Sequence, residues 1–407
     1  MGSLSNIVMA DKTETASFID DCTGCNICVK ECSFLQRTGN PKELATGSKQ
    51  CDPFECTLCG LCAAVCPFGV DPSRYFLEQR REIRRAKGGD DRRHAPLIAY
   101  EKKGASTLYT FYGLPEGCDT VFFPGCALPG TRPQAVSKVY ESLKTVIPNI
   151  GIVLDCCLKP SHDLGREDHF NSSFQELRDY LYRQGIRKVL VACPNCNRIF
   201  SDYADGISVQ TVYEILVDLP GEAAELLSTE AVFHDPCVAR NNVAAQDAAR
   251  NMVKRAGVSV AEMKHSRDKT LCCGRGGGVN FVRPDIIGES VASRIAEAAG
   301  RPIVTYCAAC AGTYAAKTTS LHLLDLWISP EDALAGKAKV SVAPITYLNR
   351  IMLKSKLRKS GDFVLSRQRN SKGKKGQRMS QFKAAGLLLV IVALAAVMFG
   401  FTSLQQW

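Results

Sequence analysis

The chain has 407 residues, of which 45% are hydrophobic and 23% are charged, and this length is sufficient for two or three domains with cores of their own. A mean hydropathy of −0.07 excludes general disorder and a polytopic membrane protein. Two features then need an explanation, namely the 20 cysteines and the formal net charge of +10.

The N-terminal residues carry no export signal that we can identify. Residues 1–6 lack the basic and then apolar pattern of a secretory signal, and Asn6 stands where a myristoylation motif has Ser or Thr. We therefore expect the cysteines to stay in a reducing compartment. Closely spaced cysteines in such a compartment are typically metal or redox ligands and not a disulfide framework.

The first clustered cysteines form two copies of the motif C-x2-C-x2-C-x3-C, at residues 22–32 and 56–66. Structural zinc usually has two C-x2-C pairs that a longer loop separates, so this spacing favours iron–sulfur clusters. In two-cluster ferredoxins three thiolates of each motif hold one [4Fe-4S] cubane, and the fourth holds the neighbouring one. The expected ligand sets are Cys22, Cys25, Cys28 and Cys66 for one cubane, and Cys32, Cys56, Cys59 and Cys62 for the other.

These motifs predict an α-helical, 2[4Fe-4S] ferredoxin-like domain over residues 15–90. Cys51 lies between the motifs without a place in either, and we expect it to be a half-buried free thiol. The charged run at 78–87 predicts a helix with a solvated face.

Beyond about residue 115 the chain repeats itself, with five cysteines in each copy. Short β-branched or aromatic runs precede most of these cysteines, and helical stretches separate several of the runs. This alternation predicts two cysteine-rich α/β modules, over 115–228 and 229–345, with the cysteines at the carboxyl ends of the strands. The cysteines of the two copies are Cys126, Cys156, Cys157, Cys193 and Cys196, and then Cys237, Cys272, Cys273, Cys307 and Cys310.

Five thiolates exceed what one cubane or one zinc ion uses, and an adjacent pair suits a more open cluster. The second copy reads Cys-x34-Cys-Cys-Gly-x32-Cys-x2-Cys and opens with His234-Asp-Pro. This pattern resembles the CCG-type, cysteine-rich module of heterodisulfide reductases. The layout over about 15–345 resembles their D-type subunit, and equally the iron–sulfur subunits of anaerobic glycerol-3-phosphate, glycolate and lactate dehydrogenases.

The resemblance implies a noncubane [4Fe-4S] cluster in each module. In the second module the five cysteines would form a catalytic site that cleaves a disulfide. In the first module Leu158 replaces the glycine that follows the cysteine pair, which leaves the cluster type there open. A cubane, a zinc ion bound by four of the five thiolates, or an empty site remains the alternative in both modules.

Other residues near the cysteines give weaker signals. The glycine run 274–278 lacks the Lys-Ser/Thr of a P-loop, so we interpret it as tightly packed backbone in preference to a phosphate site. His162 and His234 are either hydrogen-bond donors or proton sources near the clusters, or ordinary polar residues with satisfied hydrogen bonds. Arg275 is either a charge that raises a cluster potential, a contact for an anionic substrate, or a surface residue.

The C-terminal part predicts a membrane anchor. Residues 384–401 contain no charge and would span about 27 Å as a helix, so a single transmembrane helix is expected over 384–402. Residues 351–383 contain eleven Lys or Arg and one acid, which accounts for the whole net charge of +10. We therefore predict a flexible polybasic linker over 346–383 that contacts anionic lipid, with nucleic-acid binding as the less favoured interpretation.

Taken together, these patterns predict an oxidoreductase in the cell membrane, single-pass, with the bulk of the chain cytoplasmic. It would transfer electrons between a cytoplasmic donor such as a flavoprotein and a quinone- or cytochrome-bearing membrane partner, with disulfide reduction at the second module. The alternative enzyme is the electron-transfer subunit of a glycolate, lactate or glycerol-3-phosphate dehydrogenase complex. The alternative from another class is a membrane-tethered zinc-binding scaffold or redox sensor.

Overall fold

Short helices and loops form the N-terminal part of the protein, as the ferredoxin-like motifs predict. The computed structural model describes residues 20–221, 229–360 and 363–369. Two 3-10 helices of this part cover Pro53–Glu55 and Arg92–His94. The α-helices are α1 (Ile27–Glu31), α2 (Ser33–Thr38), α3 (Pro41–Ala45), α4 (Leu61–Ala64), α5 (Pro72–Lys87) and α6 (Ala95–Gly104).

Local sequence sets where these helices begin and end. Asn26 and Gly60 precede α1 and α4 in the left-handed conformation, which turns each C-x2-C segment into its short helix. The Asp71 side chain accepts hydrogen bonds from the first backbone N–H groups of α5, and Gly88 ends this helix with a φ of 62°. The charged run at 78–87 therefore is helical, as expected.

The first module is built on a six-stranded sheet with the strand order β10-β1-β3-β2-β4-β5. Strands β3, β2, β4 and β5 are parallel, whereas β1 pairs antiparallel with β3 and with β10. The strands are β1 (Phe111–Leu114), β2 (Thr120–Phe123), β3 (Gly151–Leu154), β4 (Lys188–Val191), β5 (Ser208–Thr211) and β10 (Leu365–Arg367). The helices are α7 (Leu128–Thr131), α8 (Pro133–Val146), α9 (Lys159–Asp163), α10 (Glu167–Arg183), α11 (Pro194–Tyr203) and α12 (Tyr213–Leu216).

The second module has a four-stranded, fully parallel sheet with the order β7-β6-β8-β9. The strands are β6 (Glu230–Phe233), β7 (Ser259–Glu262), β8 (Ile303–Thr305) and β9 (Ser320–His322). Three 3-10 helices cover Cys237–Ala239, Arg267–Lys269 and Gly276–Phe281. The α-helices are α13 (Val243–Arg255), α14 (Pro284–Ala298), α15 (Ala308–Ala315), α16 (Leu323–Ile328) and α17 (Pro330–Leu334).

The two modules share one apolar core, because Phe122 and Tyr213 of the first belong to the same buried cluster as Phe233 and Tyr306 of the second. Buried apolar side chains on this scale supply the main driving force for folding. The mixed α/β architecture agrees with the prediction. Most of the module cysteines follow directly on parallel strands, at the strand ends where α/β proteins place their sites.

The prediction of a flexible linker over 346–383 is wrong for the part of this range that the structure describes. Residues Ile345–Lys359 form a helix, α18, and β10 pairs with β1 at the edge of the first sheet. Leu353 and Leu357, one turn apart, lie in the shared core, so this basic segment has an apolar face that its composition conceals. The first module consequently begins before residue 115 and takes one strand from the C-terminal part.

The predicted transmembrane helix, 384–402, lies outside the described residues, as does the rest of the linker from 370 onward. Across the ranges that the structure describes, no helix has both the length and the apolar character needed to cross a membrane.

Candidate metal centres

The first predicted ligand set lies around one small cavity near the N-terminus. Four cysteines of the predicted set line this cavity together, namely Cys22, Cys25 and Cys28 of the first motif and Cys66 of the second, and Cys62 lines it as well. The exchange of the fourth cysteine between motifs, which the spacing predicts, is therefore present in the geometry.

The second predicted set lines a larger cleft of about 430 Å³. This cleft also contains Cys272 of the second module, so the ferredoxin-like part and that module face each other across it. The ligands predicted for the second cubane that line it are Cys32, Cys56, Cys59 and Cys62.

Burial disfavours the thiolate form of these side chains. Desolvation raises the pKa of Cys28 to about 11 and that of Cys32 to about 11, and it holds the pKa of Cys56 and of Cys62 above the usual value of a thiol. The thiols are therefore protonated at neutral pH in the metal-free chain, and a metal centre that binds them has to displace these protons.

The first module brings all five of its predicted ligands into one connected group. The Cys126 thiolate accepts a hydrogen bond from the Cys156 thiol, which lowers the pKa of Cys126 to about 6 and raises that of Cys156. Cys196 contacts both Cys157 and Cys193 in the same way. Gly125 makes room for this group, because a Cβ atom there would lie 3.0 Å from Cβ of Cys193 and 3.2 Å from Sγ of Cys196.

The second module assembles its five predicted ligands similarly. The Sγ atoms of Cys237 and Cys272 are 3.7 Å apart, and those of Cys273 and Cys310 are 3.3 Å apart. Cys307 contacts Cys310, and the adjacent Cys272 and Cys273 join the two halves. Each module thus presents a pure sulfur donor set, which is the donor chemistry of iron–sulfur clusters.

The residue after each cysteine pair adopts the same left-handed backbone in the two modules. Gly274 has a φ of 83° and Leu158 a φ of 62°, and each donates its N–H to the first cysteine of the pair, at 3.3 Å and 3.4 Å. The first module therefore keeps the local geometry at the energetic cost of a strained leucine, whose side chain packs in the core.

One buried arginine lies in the second module, and another borders the sulfur set of the first. Arg294 is fully buried in the second module, and two of its guanidinium nitrogens have no hydrogen-bond partner in the described part of the chain. Arg350 of α18 has one such nitrogen near the first set. Arg294 has the Glu297 carboxylate as its ion-pair partner, 2.8 Å from Nη1. A buried cation without such a partner is unfavourable unless an anion neutralises it, and an anionic cluster on the thiols of the first module would satisfy that need for Arg350.

The ferredoxin-like part meets the second module through sulfur. The Cys59 thiol lies in hydrogen-bonding contact with the Cys272 thiol, and this contact and burial together raise the pKa of Cys59. Arg240, itself buried, donates to the carbonyl oxygens of Cys59 and Thr270, at 3.2 Å and 3.0 Å, and so ties the two loops together.

Arg80 connects three parts of the protein. It lies on α5, within the charged run that predicts a solvated face, yet its side chain is fully buried. That prediction is therefore wrong for Arg80. The guanidinium donates hydrogen bonds to backbone carbonyls of all three parts, at Pro53 and Cys56, at Asp163 of the first module, and at Gly277 of the second.

Glycines allow the backbones to approach at this junction. A Cβ atom on Gly277 would lie 2.6 Å from the Cys56 carbonyl oxygen, and one on Gly165 would lie 2.7 Å from the backbone of Arg80. Both glycines also have positive φ angles, of 63° and 70°. The run 274–278 is tightly packed backbone, and its partner is the loop that carries Cys56.

The two histidines differ in their surroundings. His162 is hydrogen-bonded to Asp163 and Tyr203, each at 2.9 Å, which agrees with an ordinary buried polar residue. His234 is fully buried and contacts the Tyr314 hydroxyl at 3.3 Å, beside Cys273 and Cys310. Arg275 is exposed.

Two cysteines stand apart from the four sets. Cys51 is half-buried, as expected, and Cys118 donates to the Thr120 carbonyl oxygen at 3.3 Å.

Within residues 20–221, 229–360 and 363–369, no group of three or more His, Cys, Asp or Glu side chains is arranged to hold a single metal ion.

Sequence reasoning missed the buried arginines of these sites, namely Arg80, Arg240, Arg294 and Arg350. Nothing in a local sequence pattern distinguishes them from the exposed arginines around them. The one available signal is the apolar spacing of α18, which places Leu353 and Leu357 on a buried face next to Arg350.

Comparison with known proteins agrees with these sites. Residues 21–70 match the 4Fe-4S dicluster domain, and residues 231–314 match the CCG cysteine-rich domain. The D-type subunit of dihydromethanophenazine:CoB--CoM heterodisulfide reductase from Methanosarcina barkeri is 23% identical over 343 residues, covering 69% of this chain and 83% of the relative.

Two further relatives carry other oxidoreductase names. EtfAB:quinone oxidoreductase of Syntrophomonas wolfei is 23% identical, over 58% of this chain and 37% of the relative. The B-type subunit of fumarate reductase (CoM/CoB) from Methanothermobacter marburgensis is 24% identical, over 66% of this chain and 58% of the relative. The chain thus carries a 4Fe-4S dicluster domain and a CCG cysteine-rich domain and is a homologue of the D-type subunit of heterodisulfide reductase, which confirms the resemblance inferred from the cysteine spacing.

Proposed function

We propose that this chain is an iron–sulfur oxidoreductase whose ferredoxin-like part and second module exchange electrons. The observation that carries the proposal is the contact between Cys59, a predicted cubane ligand, and Cys272, a predicted ligand of the second module. Bound iron–sulfur clusters supply one-electron redox chemistry. Two sulfur sets that share a contact give a short route for electrons between them.

The proteins named above as relatives support this proposal. Their names describe oxidoreductases, and this chain has the cysteine motifs that would hold the clusters. We propose two cubanes on the ferredoxin-like sets and one further cluster on each module. The further clusters would be noncubane, since five thiols converge in each module.

The reaction that we favour at the second module is the reduction of a disulfide. A disulfide that takes up two electrons and two protons gives two thiols, and the electrons would arrive through the ferredoxin-like part. Within the module His234 and Tyr314 form a buried hydrogen-bonded pair beside Cys273 and Cys310, which could deliver a proton there. The five cysteines of this module would then be the catalytic site.

Electron transfer alone is the second candidate function. The relatives named as a quinone oxidoreductase and as a fumarate reductase subunit favour a chain that passes electrons between a flavoprotein donor and another acceptor. Proteins that copurify after mild detergent extraction distinguish the two candidates. A flavoprotein dehydrogenase subunit in that complex, together with no turnover of any disulfide, would favour electron transfer alone.

We further propose that residues 384–402 anchor the chain in the cell membrane, with the cluster-bearing part on the cytoplasmic side. The support comes from the sequence alone. An uncharged segment of membrane-spanning length follows a basic stretch, and such a stretch suits contact with anionic lipid. A quinone- or cytochrome-bearing membrane subunit would then be the partner. Deletion of residues 384–407 should move the protein to the soluble fraction, and a deletion protein that stays in the membrane fraction would place the anchor in a partner.

The proposed chemistry is tested by exchanging one cysteine of the second module. Anaerobically purified wild type should reduce 2-hydroxyethyl disulfide with reduced methyl viologen, and Cys273→Ala should lose this turnover and one paramagnetic signal. The ferredoxin-like cubanes should remain reducible by dithionite. Cys118→Ala is the matched control, since Cys118 lies outside the four sets, and it should behave as wild type. An unchanged spectrum in Cys273→Ala would rule out a cluster at that site.

A further inference from the structure

The sulfur set of the first module is bordered by two helices from outside the module, and both bring a polar side chain to it. From α6, the Tyr100 hydroxyl lies 3.5 Å from Sγ of Cys126 and can donate a hydrogen bond to that sulfur. From α18, the side chain of Arg350 enters the same region, and this residue is only 5% exposed. Neither residue belongs to the segments that match known domains.

The position of the Arg350 guanidinium is fixed on two sides. It lies over the Tyr109 ring, 4.6 Å from the ring centroid, and Nη2 donates to the Gly104 carbonyl oxygen at 3.2 Å. A Cβ atom on Gly104 would lie 3.6 Å from Cβ of Cys156 and 3.8 Å from both terminal nitrogens of Arg350. The guanidinium and Cys156 therefore flank the same face of Gly104.

The remaining nitrogen, Nη1, is buried and has no hydrogen-bond partner in the described part of the chain. The two buried carboxylates nearby are engaged elsewhere. Asp155 is paired with Arg369 and accepts from the Tyr112 hydroxyl, while Glu101 accepts from Ser161. Arg350 also interacts electrostatically with Asp155, and its guanidinium lies beside Cys156 at Gly104. A buried cation in this position favours an anion on the sulfur set.

We propose that Tyr100 and Arg350 are positioning residues for an anionic iron–sulfur cluster on the first module, and that they raise its reduction potential. This inference rests on the proposed function, since it needs a cluster on the five thiols. An added electron makes the cluster more negative, and a hydrogen bond to a ligand sulfur and a nearby positive charge both stabilise that form.

The second module differs in where its charge comes from. Its buried arginine, Arg294, lies on α14 within the module itself and is paired with Glu297 at 2.8 Å, whereas Arg350 is supplied by α18 and has no ion pair within the described residues. The first site is therefore complete only when the C-terminal helix is packed on the module. The two modules would then differ in reduction potential although their sulfur sets correspond one to one.

The test uses the full chain, purified anaerobically, with iron and sulfide analysis and a redox titration followed by paramagnetic resonance. Tyr100→Phe and Arg350→Met should retain wild-type iron and shift the midpoint of one cluster to lower potential, with the other midpoints unchanged. Arg350→Lys keeps a positive charge and should shift less than Arg350→Met. Arg358→Met and Tyr347→Phe, both on α18 like Arg350, are the matched controls. Their clusters should have the midpoint potentials of the wild type.

The outcomes separate this inference from the proposed function. A wild-type chain without iron and sulfide contradicts the proposed function. Iron-loaded variants with unchanged midpoints overturn the inference alone, as does an equal shift in the Arg358→Met control. Loss of about four iron atoms per chain in both Tyr100→Phe and Arg350→Lys would also overturn it, because the two residues would then be required for cluster retention.

Discussion

Replacement of Arg80 by methionine tests whether one buried guanidinium holds the ferredoxin-like part against both modules. The side chain is fully buried. Its two hydrogen bonds to the Pro53 carbonyl oxygen measure 3.1 and 2.9 Å, and those to the carbonyl oxygens of Asp163 and Gly277 measure 2.6 Å and 2.9 Å. A further hydrogen bond goes to the Cys56 carbonyl oxygen. Methionine fills similar space and leaves these four carbonyl oxygens without their donor.

The magnitude follows from two opposing effects. A hydrogen bond that involves a charged group contributes about 1.5–3 kcal/mol, but removal of the arginine also removes the cost of burying its charge. The same burial lowers the pKa of Arg80. Each buried carbonyl oxygen left without a donor costs about 1–3 kcal/mol, and relief of the buried charge offsets part of the sum over four carbonyls, so a net loss of about 3–5 kcal/mol is expected. With about 2.1 cal/mol/K of unfolding entropy per residue and roughly 340 described residues, this corresponds to a fall in Tm of about 4–7 °C.

The assay is thermal unfolding of the iron-loaded chain under anaerobic conditions, followed by circular dichroism and by visible absorbance. Arg80→Lys retains the charge but has three N–H donors for four acceptors, so its Tm should fall between those of wild type and Arg80→Met. Arg85→Met, an exposed position on the same helix, is the matched control and should change the free energy of unfolding by less than about 0.5 kcal/mol. An Arg80→Met protein within about 1 °C of wild type would refute the reasoning.

Two further predictions concern the same junction. Gly277→Ala should destabilise the protein and loosen the ferredoxin-like part, because the new Cβ atom would lie 2.6 Å from the Cys56 carbonyl oxygen and the residue has a φ of 63°. The control is Gly288→Ala, where a new Cβ atom meets nothing within 4 Å. Limited proteolysis should cut Gly277→Ala faster than this control, and equal rates would contradict the prediction. His94 is buried, and desolvation lowers its pKa to about 4. Below about pH 6.5 His94 therefore binds a proton in the unfolded chain, whereas in the folded chain it binds one only below about pH 4. The free energy of unfolding consequently falls as the pH drops through this window, by at most about 1.4 kcal/mol per pH unit. His94→Leu should show a flatter acid limb in thermal unfolding between about pH 6.5 and 4, and parallel curves for variant and wild type would exclude this role.

The sulfur sets could be predicted from sequence because their geometry is mostly local. A C-x2-C-x2-C segment can wrap one corner of a cluster without help from the rest of the fold, and the exchange of Cys66 and Cys32 between the motifs is inherent in the repeat. The module cysteines were predictable for a related reason. Strands that alternate with helices form parallel sheets, and parallel sheets bring their carboxyl ends together at one edge.

The buried arginines could not be predicted, because their burial depends on residues far away in the chain. Arg80 and Arg85 lie in the same charged helix, and Arg80 differs from Arg85 because the carbonyl oxygens of Pro53, Cys56, Asp163 and Gly277 surround it. The C-terminal helix escaped prediction for a similar reason. Its basic composition suggested a flexible linker, whereas two leucines on one face, at 353 and 357, pack in the core.

The central claim is that the four sulfur sets hold iron–sulfur clusters, and metal analysis of the full chain tests it most directly. Four [4Fe-4S] clusters predict about 16 iron and about 16 sulfide atoms per chain after anaerobic purification. An intermediate value of about 8 would restrict the clusters to the ferredoxin-like part. Stoichiometric zinc with little iron or sulfide would contradict the account and favour a zinc-binding scaffold.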